Sequence, residues 1–278
     1  MLLRCGPHTL DLSTPRVMGI LNVTPDSFSD GGRFVDVARA VEHGLAMVAA
    51  GADIIDVGGE STRPGAQTVS EADEIDRVIP VIAALVAAGI PVSVDTSKAA
   101  VISAALSAGA AMINDVRALQ EPGALLAAAN GTAGICLMHM QGAPRTMQQD
   151  PHYTDVVREV RDFLSSRVDA CVKSGIARER IVIDPGIGFG KRLEHNLALL
   201  AALPELQQLG LPVLIGVSRK SMLGALLGRG VEQRLAGGIA IATAAALAGA
   251  GILRVHDVAE TVDAVRVAVA LKAAGFHG

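Results

Sequence analysis

The 278-residue chain has no tryptophan, one tyrosine (Tyr153) and five phenylalanines, so aromatic side chains make up only 2% of it. A core without large rings must be filled by Ala, Val, Ile and Leu, a composition suited to close packing of helices on strands. Cysteine is equally scarce. Cys5, Cys136 and Cys171 are odd in number and far apart, which excludes a disulfide framework or a thiolate metal cluster. Cys136 lies within an apolar run and reads as core. Positive charge is not in surplus: 24 Lys and Arg stand against 28 Asp and Glu, a net charge of −4, so no nucleic-acid partner is expected. The most apolar helical segment, 239–250, is shorter than the roughly 20 residues a membrane span requires, so no membrane partner is expected either. The first residues carry no leader-like pattern, and unpaired cysteines fit a reducing, cytoplasmic setting. Dinucleotide and Walker fingerprints are missing, and Gly216-Val217-Ser218-Arg219-Lys220 lacks the second glycine of a hydrolase elbow.

Half of the residues are apolar. They fall into eight short runs, each ending on a polar or glycine-rich step and separated from the next by alanine-rich helical segments. Strands are expected at 17–21, 53–57, 91–95, 111–115, 134–138, 180–184, 212–216 and 251–255. Helices are expected at 35–50, 71–88, 97–108, 120–130, 153–174, 193–209, 221–227 and 232–248, with a last one ending near 274. In the segment 71–88, Ile75, Val78, Ile79, Ile82 and Leu85 recur with the helical period. This alternation predicts an α/β fold, a (β/α)8 TIM barrel, with a small N-terminal hairpin over 1–12 that plugs its bottom. A doubly wound open sheet is the rival. Eight strands with polar groups at nearly every end favour closure, and the length suits a single barrel domain spanning 1–278.

Two glycine-rich connections, 24–32 and 58–66, follow the first two strands at the face where barrels carry their active sites. All their residue types suit ordinary turns, but Phe28 and Arg63 are not needed for turning, which points to a lid over a substrate. In a closed barrel the seventh, eighth and first strands are neighbours. Their ends carry Ser218-Arg219-Lys220-Ser221, Arg254-Val255-His256 and Asn22, so three cations, a histidine and a helix start are expected to converge on an anion such as a phosphate. Arg254 and His256, two apart on a strand, share a face. Asn22 is a poor solitary metal ligand, but phosphate oxygens and water would complete an Mg²⁺ shell around it.

Asp95, Asn114 and Asp184 end the third, fourth and sixth strands. Amide and carboxylate groups so placed suit a flat heterocycle with several N–H groups, since a carboxylate accepts two parallel bonds from an N–C–N edge. Lys220 would reach its opposite side. Asp56 and Asp115 read instead as structural, capping loops.

Several long strings carry a family resemblance. The segment from Gly19 through Asn22, Thr24-Pro25-Asp26-Ser27-Phe28 and Asp30 to Gly32 resembles the opening motif of bacterial dihydropteroate synthases. Gly59-Glu60-Ser61-Thr62-Arg63-Pro64-Gly65 resembles their second loop. Asp184-Pro185-Gly186-Ile187-Gly188-Phe189-Gly190-Lys191, Ser218-Arg219-Lys220-Ser221 and Arg254-Val255-His256 are similar to their later motifs. The likeness runs from about residue 12 to the end. It implies a folate-pathway transferase joining 6-hydroxymethyl-7,8-dihydropterin diphosphate to 4-aminobenzoate, releasing diphosphate. It further implies that Asp95, Asn114, Asp184 and Lys220 hold the pterin, and that Asn22, Arg254 and His256 handle the diphosphate with Mg²⁺. Thr62, Arg63, Pro64, Phe189, Lys220 and Ser221 would line the aminobenzoate side, where sulfonamides also bind, with Phe28 and Asp30 helping to close it. Asp95, Lys220, Arg63 and Asp30 are the expected catalytic groups, and a homodimer is the expected assembly. A pterin-dependent methyltransferase domain is the enzymatic rival, but the basic sector and the Arg63 loop suit diphosphate and benzoate better. A non-catalytic pterin binder would have no use for the Mg²⁺ and diphosphate groups.

Overall fold

Strand residues that alternate between two apolar environments organise the molecule. In the computed structural model, which describes residues 1–23, 33–61, 68–143 and 146–276, eight strands form one parallel sheet. They are β3 (Arg16–Asn22), β4 (Ile54–Gly58), β5 (Val92–Asp95), β6 (Met112–Asp115), β7 (Gly134–Met138), β8 (Ile181–Asp184), β9 (Leu214–Ile215) and β10 (Ile252–Val255). The order β8-β7-β6-β5-β4-β3-β10-β9 is sequential around the circle, and a parallel bridge between Ile183 and Val213 joins its two ends. The sheet is therefore the expected (β/α)8 barrel and not an open doubly wound sheet.

Helices α1 (Arg33–Ala49), α2 (Glu71–Ala87), α3 (Ala99–Ser107), α4 (Ala124–Ala129), α5 (Val156–Lys173), α6 (Leu193–Ala201), α7 (Leu203–Gln207), α8 (Ser221–Leu227), α9 (Leu235–Leu247) and α10 (Val258–Ala273) return the chain between strands. Odd-numbered strand residues such as Leu21, Ile55, Val57, Ile113, Leu137, Ile183, Ile215, Leu253 and Val255 pack outward against these helices in the larger core cluster. Even-numbered ones point into the barrel, except on β5, where Val92 and Val94 pack outward and the odd-numbered Asp95 reaches the floor. Met18, Ile54, Met112, Cys136, Val182, Leu214 and Ile252 form one apolar layer there. Two residues further along β4, β6, β8 and β10 the same parity brings up Asp56, Asn114, Asp184 and Arg254. One register thus makes both the apolar base and the polar floor above it.

The N-terminal hairpin is present. Strands β1 (Leu2–Cys5) and β2 (His8–Asp11) pair antiparallel. Leu3 and Cys5 are buried and belong to the same cluster as the barrel's apolar layer, so the hairpin seals the base. Gly6 carries the turn at φ +58°, a left-handed conformation that glycine takes without steric cost.

Several helical boundaries differ from the sequence reading, α5 for one starting at Val156 and not at 153. The segment expected to be helical over 120–130 is helix only at Ala124–Ala129. Its start is set at Gly123, the N-cap, which stands at φ +80°, a left-handed conformation that keeps the residues before it out of the helix. The expected 193–209 helix breaks at Ala202, and Pro204 lies in the first turn of α7. The expected 232–248 helix starts at Leu235, after a 3₁₀ turn at Val231–Gln233.

Candidate functional site

The polar floor is an ion-pair network. Arg254 reaches across the barrel: its Nε donates to Asp56 Oδ2 at 2.6 Å and its Nη2 to Asp95 Oδ2 at 2.6 Å. Asn114 Nδ2 donates to the same Asp56 oxygen at 2.9 Å. Asp56 is fully buried, and its other oxygen, Oδ1, has no hydrogen-bond partner. The reading of Asp56 as a loop cap is therefore corrected: it lies in the floor and ties Arg254 to Asn114. Its inward parity with Ile54 was the signal that could have found it. Asp115 is a loop cap as expected, accepting Arg117 N, Leu119 N and the Ser97 hydroxyl.

Asp95 and Asp184 share the floor. Burial raises the Asp95 carboxyl above the usual range, Arg254 opposes that, and Asp56 adds to it. Asp184, also raised by burial against the pull of Lys220, accepts Gly186 N at 2.7 Å. Gly186 stands at φ +67°, and a Cβ there would lie 1.8 Å from His139 O, so no other residue fits this turn.

Lys220 is positioned by the turn that follows Asp184. Its ammonium donates to the Ile187 carbonyl and lies 4.6 Å from the Phe189 ring centroid, a cation–π placement. Burial depresses its pKa to about 8, with Asp184 opposing the shift. Ser221, the first residue of α8, is exposed.

The expected basic sector exists, but its cations already have partners. Besides Arg254, Arg219 Nη2 pairs with Asp257 Oδ1 at 2.6 Å. His256 faces Ser218, whose Oγ accepts His256 N at 3.2 Å and lies 3.0 Å from its Nδ1. Asn22 ends β3 beside Gly58, half-buried, with its Oδ1 3.7 Å from where a Gly58 Cβ would stand. No cluster of three or more His, Cys, Asp or Glu that could hold a metal exists among the described residues. The calls on Asp30, Thr62, Arg63 and Pro64, and on Phe28, fall outside the described residues.

Sequence reasoning missed two further clusters. Lys98 Nζ donates to Glu60, to the buried Glu74 at 2.5 Å and to Val69 O at 2.8 Å, while Glu60 Oε1 accepts Val69 N at 3.4 Å. This knot joins the two flanks of the second glycine-rich connection. Lys191, at the end of a quoted motif, is buried and bonded to the turn after Asp184 and to His139. Neither was visible in the spacing, because each depends on which strand ends are neighbours.

A barrel whose floor presents carboxylates, an amide and a lysine to one bowl defines a binder of flat, N–H-rich heterocycles. The comparisons agree. Residues 18–256 match the family model described as pterin binding enzyme. The dihydropteroate synthase of Escherichia coli K12 is 55% identical over 260 residues, covering 93% of this chain and 92% of that protein. That of Haemophilus influenzae is 50% identical over 268 residues, covering 96% and 98%. The crystal structure of the Yersinia pestis dihydropteroate synthase with a sulfonamide drug complex superposes with a TM-score of 0.93 at 53% identity, covering 98% of this chain and all of that one. The Burkholderia cenocepacia dihydropteroate synthase complexed with 7,8-dihydropteroate gives 0.90 at 48% identity, covering 99% and 97%. The chain belongs to the pterin-binding enzyme family, and within it to the dihydropteroate synthases.

Proposed function

We infer that the chain condenses 6-hydroxymethyl-7,8-dihydropterin diphosphate with 4-aminobenzoate, giving 7,8-dihydropteroate and diphosphate. The observation that carries this is the floor itself: Asp95, Asn114 and Asp184 converge with Lys220 on one bowl. The carboxylates accept from the pterin's N–H edge, and Lys220 donates from the other side. In the reaction the methylene C–O bond to diphosphate breaks and a C–N bond to the aromatic amine forms. The amine nitrogen then loses a proton, which the departing diphosphate or water accepts. As the C–O bond breaks, positive charge develops on the methylene and spreads into the electron-rich dihydropterin, where Asp95 and Asp184 stabilise it. An aromatic amine is already neutral at pH 7, so its attack needs no strong base, and the site contributes orientation above all.

His256 and Asn22, on the rim above the floor, face the diphosphate in this reading, with Arg254 linking rim and floor. Asn22 offers one amide oxygen, a donor set that fits an Mg²⁺ ion only if the substrate's phosphates supply further ligands. Such an ion would neutralise charge on the leaving diphosphate. Thr62, Arg63, Pro64, Phe189 and Ser221 serve the aminobenzoate side, and Asp30 joins Arg63 in excluding water from it. Incubating the protein with the pterin diphosphate, aminobenzoate and Mg²⁺ and following dihydropteroate by mass spectrometry tests the assignment. Release of diphosphate without dihydropteroate would refute it.

The 278 residues act as one domain in this reading, with two copies forming a homodimer. Leu226, Leu227, Val231 and Leu235, from the end of α8 to the start of α9, are exposed large apolar residues in one stretch of chain, an arrangement that favours a covered face. Sedimentation of the wild type against Leu227→Glu tests this, with a dimer expected to become a monomer. All three cysteines are free and buried, in keeping with a cytoplasmic protein, and no described helix is long and apolar enough to cross a membrane.

A further inference from the structure

Lys191 is buried at 3% exposure, and no step of the reaction uses it. Its ammonium lies inside a ring of acceptors: Gly186 O at 2.9 Å, Phe189 O at 3.0 Å, His139 O at 3.3 Å and His139 Nδ1 at 2.9 Å. Burying an ammonium is costly unless every donor is satisfied, so a lysine at this position must organise what surrounds it. What surrounds it is the turn from Asp184 to Gly190. The first of its carbonyl partners belongs to Gly186, whose N–H holds Asp184 Oδ1. The second belongs to Phe189, whose ring lies under Lys220. Between them, the Ile187 carbonyl receives the Lys220 ammonium. On the other side, His139 follows β7 directly, and its N–H donates to the Asp184 carbonyl at 3.0 Å. The His139 ring is held edge-on by Phe163, at 4.9 Å between centroids.

We propose that Lys191 is a positioning residue for the pterin site. By gathering the carbonyls of Gly186, Phe189 and His139, it sets the turn that aims Asp184, Lys220 and the Phe189 ring at the ligand. It touches the ligand through none of its own atoms. The proposal rests on the reading that Asp184 and Lys220 hold the pterin, and it adds the group that holds them. Burial depresses the Lys191 pKa to about 7; of the charges facing it, the Asp184 carboxylate favours its ammonium and the Lys220 ammonium opposes it. The neighbouring His139 ring is kept neutral by burial and by Lys191 itself. A structural lysine remote from function would leave Lys220 undisturbed when removed, and this one would not.

Two readouts decide it. The first is the ¹⁵Nζ signal of Lys220 in lysine-labelled apoprotein, compared between the wild type and Lys191→Met. That substitution keeps the aliphatic stem and removes the ammonium. The signal is expected to move, and an unmoved Lys220 signal overturns the proposal. The second is a double-mutant cycle on the affinity for a pterin without diphosphate, with Lys191→Met, Lys220→Met and the double variant. Lys191→Met should weaken binding at least tenfold, and the loss in the double variant should fall well short of the product of the two single losses. Losses that multiply, or wild-type affinity in Lys191→Met, overturn it. Where Lys191→Met does not fold, Lys191→Gln takes its place in both experiments, since its amide still meets one carbonyl. If Lys220→Met alone binds the pterin normally while the Lys220 signal still moves in Lys191→Met, then the assignment of Lys220 to the pterin fails and the positioning role stands.

Discussion

Arg254 and Asp56 meet at 2.6 Å on the floor of the barrel, on strands that lie either side of β3. Asp56 is fully buried and the Arg254 side chain 19% exposed, so the pair is shielded from water and from salt screening. It joins the apolar base of the barrel to the site above. Asn114 shares the same carboxylate oxygen, and Asp95 takes the other arm of the guanidinium. Loss of the Asp56 charge thus reaches two of the residues assigned to the pterin.

Asp56→Asn is expected to destabilise the protein by about 1–3 kcal/mol, because Arg254 loses one of its two carboxylates and keeps Asp95. Urea unfolding measures it. A loss below about 1 kcal/mol would mean that Asp95 alone suffices to hold Arg254.

The affinity for a pterin without diphosphate is expected to fall as pH rises through about 8, where Lys220 gives up its proton. The sign follows from binding to the charged form. A ligand that needs the ammonium raises the Lys220 pKa in the complex, so its affinity is fully present below the free value and lost above it. Calorimetry from pH 6.5 to 9.5 checks this. In Lys220→Met the alkaline fall should vanish, leaving weak binding at every pH.

Leu3→Ala should cost about 2–5 kcal/mol in unfolding, because Leu3 is fully buried against the barrel's apolar base and the site it leaves cannot collapse onto rigid strands. Pterin affinity should hold, since the hairpin lies at the end opposite the bowl. Weaker pterin binding at full stability would show that the base and the floor are coupled.

Lys98→Met leaves the buried Glu74 carboxylate without its cation and removes the ammonium that bridges Glu60 and the Val69 carbonyl. The Michaelis constant for aminobenzoate is expected to rise about tenfold, and that for the pterin diphosphate to stay within twofold, because the knot flanks the connection assigned to aminobenzoate. Steady-state kinetics with each substrate varied in turn separates the two. Equal rises would place the knot under the whole barrel rather than under that loop.

The sequence carried the barrel well because a strand's inward parity repeats every second residue. Strand ends at Asn22, Asp95, Asn114, Asp184 and Arg254 could be read from where apolar runs stop. It carried partners poorly, since neighbours around a closed sheet are far apart in the chain. Arg254 and Asp56 are 198 residues apart, and Lys98 and Glu60 are 38 apart. Arg254 was expected beside the phosphates from its strand-end position and the family resemblance; its bonds to Asp56 and Asp95 on the floor were not foreseen. The shortened α4 has a local cause: Gly123 caps it at φ +80°, so the residues from Gln120 to Pro122 stay outside the helix.

The central claim is that the floor holds the pterin ring and the rim holds its diphosphate. Paired calorimetry tests it most directly, with a bare pterin and the pterin diphosphate titrated into the wild type, Asp184→Asn and His256→Ala. Asp184→Asn should weaken both ligands by about 2–4 kcal/mol, the size of a lost charge-assisted pair. His256→Ala should weaken only the diphosphate and leave the bare pterin unchanged. Bare-pterin affinity that survives Asp184→Asn, or falls equally in both variants, would contradict the account.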